Sequence, residues 1–68
     1  MGKLVFLAYE YLEKNGCAKP EEIAKYIAEK LGIERNIQLH KDVYKALQVL
    51  VNSGTVKKIA HAHYCINK

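Results

Sequence analysis

The apolar residues of this chain change their spacing at Gly54, and that change constrains the fold more than any other feature. Before Gly54 they recur every three or four positions, the period of an amphipathic helix. After it, two short runs rich in β-branched and aromatic residues follow each other, the pattern of strands. The chain must therefore seat helices first and a hairpin last. Helix 1 is predicted from about Lys3 to Asn15, with Leu4, Ala8, Tyr11 and Leu12 at helical spacing and Gly16 as its stop. Helix 2 is predicted from about Pro20 to Leu31. Pro20 suits a first helical position, Glu21 and Glu22 favour the positive end of the dipole, and Ile23, Ile27 and Leu31 face inward. Gly32 ends it, with Ile33 placed to fold back.

Helix 3 is predicted from about Ile37 to Asn52, capped by Asn36 and stopped by Ser53-Gly54. Leu39, Val43, Ala46, Leu47 and Leu50 form its inward stripe. Thr55–Ile59 and His63–Asn67 then read as a β-hairpin around Ala60-His61-Ala62, a turn without Gly or Asn whose type is left open. With no repeat, linker or low-complexity segment, residues 1–68 are expected to form one small α+β domain.

Charge narrows the partner. Residues 1–34 carry five lysines and six glutamates, whereas residues 35–68 carry Arg35 and five lysines against Asp42 alone. A basic half favours a polyanion; ordinary solubilising charge is the plain alternative. The apolar start Leu4–Ala8 is interrupted by Tyr9, Glu10 and Glu13 and lacks a cleavage site, so it reads as a helix rather than a signal peptide. The expectation is a soluble protein in the cytoplasm, with no membrane partner. Two cysteines, with no Cys-x-x-Cys, do not make a disulfide-rich secreted scaffold. Abundant Lys, Ile and Tyr without Trp fits a thermophilic archaeon or its virus, in which case the compartment is the host cytoplasm.

Two blocks carry a family resemblance: Asn15-Gly16-Cys17-Ala18-Lys19-Pro20-Glu21-Glu22-Ile23-Ala24, and Leu47-Gln48-Val49-Leu50-Val51-Asn52-Ser53-Gly54-Thr55-Val56-Lys57-Lys58. In the second, a leucine pair precedes Gly and a basic strand. The chain resembles the winged helix-turn-helix family over nearly its whole length, most closely the very small regulators of archaea and their viruses. Its second half is also similar to linker-histone globular domains. The resemblance implies three helices followed by a hairpin wing, and a double-stranded DNA-binding transcriptional regulator without enzymatic activity. In that fold the segment between helices 1 and 2 often adds a third strand beside the second wing strand. That places Cys17 near Cys65 and makes a disulfide between them an expectation of the resemblance.

With the leucine stripe inward, helix 3 presents Ile37, Lys41, Tyr44, Lys45, Gln48 and Asn52 outward. Lysine reaches guanine O6 or N7, or a phosphate, while Gln and Asn can pair with adenine. Lys41, Tyr44 and Gln48 are expected to contact bases, Gln38 and His40 to lie at the groove entrance, and Lys45 and Asn52 to meet the backbone. On the hairpin, Lys57 and Lys58 with His61 and His63 make a basic wing, and the histidines add charge only when protonated. Phe6 and Tyr9, with Leu7 at the other edge of the core stripe, are expected to form a homodimer contact. Scattered surface aromatics are the plain alternative.

Other classes fit less well. There is no Gly-rich phosphate loop or paired carboxylate, and adjacent strand residues cannot align as nucleophile and base. His61-x-His63-x-Cys65 does not match common zinc spacings, so no metal, cofactor or small-molecule ligand is expected. The serious alternatives are a winged-helix protein-interaction module and a general chromatin-like DNA binder, with RNA binding a weaker variant. Lys41, Lys45, Lys57 and Lys58 on one continuous positive face favour DNA; a face broken by Glu34 or Asp42 favours a protein partner.

Overall fold

The computed structural model describes residues 2–67. The elements run α1 (Gly2–Asn15), β1 (Cys17–Ala18), α2 (Pro20–Leu31), α3 (Ile37–Asn52), β2 (Val56–Ala60) and β3 (His63–Ile66). This is an α+β chain of three helices and one three-stranded antiparallel sheet of order β1-β3-β2. The layout is compatible with a winged helix.

Local chemistry explains the helix ends. Asn36 caps α3 by accepting a hydrogen bond from the Leu39 N–H at 2.8 Å. At the start of α2, the Glu22 carboxylate accepts from the Lys19 N–H at 2.8 Å, satisfying a donor the helix itself leaves unpaired. The C-terminus of α3 closes through Gly54, whose φ of 82° is left-handed. That turn brings the Thr55 N–H to the Leu50 carbonyl and the Gly54 N–H to that of Val51. Gly16, at φ 84°, makes the corresponding turn out of α1, and its carbonyl then accepts from the Ile66 N–H.

The three helices enclose a core whose largest fully buried side chains are Leu12, Ile23, Ile27, Val43, Leu47 and Val56. The sheet closes it with Val56, Tyr64 and Ala18. Leu7, expected at a dimer contact, is instead buried in this core at 8% exposure. The reason is tertiary: α1 packs against α2, α3 and β3, so its buried sector is wider than one stripe. Beside the core, the rings of Tyr11 and Tyr26 lie 5.0 Å apart, and the Tyr26 hydroxyl donates to Glu10 at 2.8 Å. That bond to a carboxylate raises the Tyr26 pKa above its ordinary value. The Tyr9 hydroxyl is held in the same way by Glu13.

β1 is the third strand. Cys17 pairs with Cys65 and Ala18 with Tyr64. The Ile66–Gly16 hydrogen bond flanks the cysteine pair, making it the close, non-hydrogen-bonded kind in an antiparallel ladder. The Cα atoms are 3.9 Å apart, and a disulfide joins the two residues. Across the hairpin, Lys58 faces Tyr64 and Ala60 faces His63, so Ile59 is the extra residue of a bulge. The turn that follows holds Ala62 at φ 54°, a conformation that favours glycine. Ala62→Gly should relieve this strain and raise stability by about 0.5–1 kcal/mol, read as a higher urea midpoint at unchanged slope.

Candidate nucleic-acid interface

The site is built on the outward side of α3. Ile37, Lys41, Tyr44, Gln48 and Asn52 follow one another at intervals of three and four residues, and all are exposed, as is Lys45 beside them. Opposite them Leu39, Val43, Ala46, Leu47 and Leu50 are buried, which orients the helix. The Gln48 amide nitrogen donates to Asn52 Oδ1 at 2.9 Å. Gln48 keeps its amide oxygen and its second N–H for a partner, and Asn52 keeps both N–H groups.

Gln38 and His40 lie on opposite flanks of this stripe. Gln38 donates to Asp42 Oδ1 at 3.0 Å, and His40 is half-buried. Asp42 itself is half-buried and shares a shallow cleft with Ile33, Glu34, Asn36, Gln38 and Leu39. Glu34 and Asp42 thus stand together on one flank, and the outward stripe of α3 carries lysines without a carboxylate among them. Ile33 folds back onto α2 as expected, its N–H donating to the Ala28 carbonyl at 3.0 Å, while its side chain stays 48% exposed. On the same flank Val49 is 49% exposed, a position the inward-stripe argument passed over.

The hairpin leaves α3 through Ser53–Thr55. The Asn67 N–H donates to the Thr55 carbonyl and its side chain to that of Gly54, both at 2.9 Å, tying the end of β3 back to this turn. Lys57 and Lys58 project from opposite faces of the sheet because successive strand residues alternate. Lys57 shares its row with the Cys17–Cys65 bond, whereas Lys58 lies in the row of Tyr64, its ammonium 5.9 Å from the ring centroid. The four lysines of α3 and the hairpin therefore do not form a single flat face. His61 is exposed and His63 half-buried. Cys65 Sγ is bonded to Cys17, so it is not a thiolate ligand for the neighbouring histidines. Among the described residues no three metal-ligating side chains cluster.

On α1, Phe6 is 62% exposed and Tyr9 half-buried. With Val5, Leu50 and Thr55 they line a shallow groove between α1 and the end of α3. Ile37, placed outward by the sequence but given no contact there, is 76% exposed at the head of the α3 stripe, and Ile59 is 55% exposed in the bulge. Exposure of Ile37 follows from its place on the face opposite the leucines. Nothing in the local pattern signals the bulge at Ile59.

Among the described residues no helix is long and apolar enough to cross a membrane. Comparison with known protein families, curated proteins and solved structures finds no match for this chain.

Proposed function

We propose that this chain is a winged helix-turn-helix domain that binds double-stranded DNA as a transcriptional regulator, with no catalytic step. In this reading α3 lies in the major groove and the hairpin rests on the backbone or in the adjacent groove. One observation carries it: the outward stripe of α3 offers lysines, amides and a phenol, all exposed, with the carboxylates set aside on one flank. These groups suit base edges and phosphates. On the hairpin Lys57 and Lys58 are both exposed, Lys58 in the row that closes the core with Tyr64 and Lys57 on the opposite face, so they add charge without forming one continuous face with α3. Phe6 and Tyr9 support a homodimer through α1, which would set two α3 helices against half-sites about one helical turn apart.

The test is fluorescence-anisotropy titration of a random-sequence duplex across salt concentrations. Affinity should fall linearly on a log–log plot, by roughly 0.9 per phosphate neutralised. Absence of binding at low salt removes the reading. A protein-interaction module is the second reading, favoured by the exposed Val49 and Ile33 and by the Glu34–Asp42 cleft on the same flank of α3. Salt-sensitive binding from which no preferred sequence can be selected would instead define a general, chromatin-like binder.

A further inference from the structure

We infer that Ile37 is a specificity residue that recognises the C5-methyl group of thymine in the major groove. The inference rests on the DNA-binding reading above and adds which base feature is read, and by which side chain. Ile37 is the first residue of α3 and is 76% exposed, more than any other large apolar side chain among the described residues. It does no work in the monomer: the core lies on the other face of α3, and the cap is supplied by Asn36. Yet it heads the stripe that continues through Lys41, Tyr44 and Gln48, so a partner that meets those polar groups meets Ile37 as well.

The partner's chemistry then narrows the choice. Residues near the N-terminus of a groove-bound helix are those that reach base edges. Along the major groove the base edges present nitrogen and oxygen donors and acceptors, and one aliphatic group, the thymine methyl. An isoleucine among hydrogen-bonding side chains gains nothing from the polar edges and buries apolar surface only against that methyl. Lys41, one turn further along, is free to meet an acceptor nearby, so the expected site places a thymine beside a position chosen for its polar edge.

The experiment starts by selecting preferred sites from a randomised duplex library with the native chain. Thymines in the selected site are then replaced singly by uracil, which removes only the methyl and keeps O4. At one position uracil should weaken binding roughly three- to ten-fold, the scale expected for one methyl removed from contact. Ile37→Ala should bind the thymine and uracil duplexes equally. Both chains should show the same salt slope on a random duplex, because Ile37 carries no charge, and an unchanged circular-dichroism spectrum confirms that the exposed substitution leaves the fold intact. 5-Methylcytosine at that position should recover part of the lost affinity over cytosine. Equal sensitivity to uracil in native and Ile37→Ala chains overturns the inference, as does a selected site without thymine or no selected site at all. In those cases salt-dependent binding to the random duplex still stands, whereas its absence overturns the DNA reading itself.

Discussion

Reduction of the Cys17–Cys65 bond should lower the melting temperature by roughly 15–30 °C, the largest stability change expected from any single bond in this chain. The cysteines are 48 residues apart in sequence, so the bond closes most of the chain into one loop. By the chain-entropy relation such a loop costs the unfolded ensemble about 4 kcal/mol of freedom. A domain of this size holds only a few kcal/mol to about ten in total. The bond also fastens the least anchored strand, since β1 is two residues long and pairs only with β3. The helical core does not depend on it: Leu12, Ile23, Ile27, Val43 and Leu47 all lie on helices. The reduced chain is therefore expected to stay folded at room temperature and to melt early. Thermal unfolding by circular dichroism, with and without reductant and with Cys17→Ser/Cys65→Ser as a reference, measures the effect. Identical melting curves together with two free thiols titrated after unfolding would show that the bond is not present in solution.

The double substitution Lys41→Ala/Lys45→Ala should weaken binding to a random duplex by about 60-fold at 0.1 M salt. Each lysine that neutralises a phosphate contributes a log–log slope of about 0.9, which at that salt is nearly one factor of ten in affinity. On a random duplex Lys41 meets no chosen base and, like Lys45, counts as one neutralised phosphate, so removing both should make the slope shallower by about 1.8. Both residues are exposed on α3, and the core lies on the other side of the helix, so stability should be almost unchanged. Lys57→Ala and Lys58→Ala offer a contrast. Lys58 lies across the Tyr64 ring and Lys57 on the opposite sheet face. If only one face of the hairpin meets the duplex, only one of the two should change the slope. An unchanged slope in the Lys41/Lys45 variant would place the interface away from α3 and turn attention to a protein partner for the same surface.

Of the proposed interface, the sequence carried the ingredients rather than the arrangement. The outward residues of α3 could be assigned because Leu39, Val43, Ala46, Leu47 and Leu50 leave only one orientation for the helix, and the same residues are buried in the structure. The pairing of Gln48 with Asn52 and of Gln38 with Asp42 was not readable in the same way. Spacing brings such residues within reach without saying which partner each amide takes. Lys57 and Lys58 read as one basic cluster in sequence but occupy two faces once the strand is drawn.

What the sequence determined by itself is the helical part. α2 and α3 run over the expected residues, and α1 begins one residue earlier, at Gly2. Helix ends are set by bonds within a few residues, such as Asn36 to Leu39 and Thr55 to Leu50, so their causes sit side by side in the chain. The hairpin was legible in kind, with β2 shifted one residue along, to Val56–Ala60, and β3 ending one residue earlier, at Ile66. Its register was not, because the bulge at Ile59 and the left-handed Ala62 depend on how two strands meet. β1 has no pattern of its own in two residues and was expected only through the family resemblance. The burial of Leu7 was likewise decided by tertiary structure. A helix stripe shows which direction is apolar, but only the neighbours on each side set how much of the helix they cover.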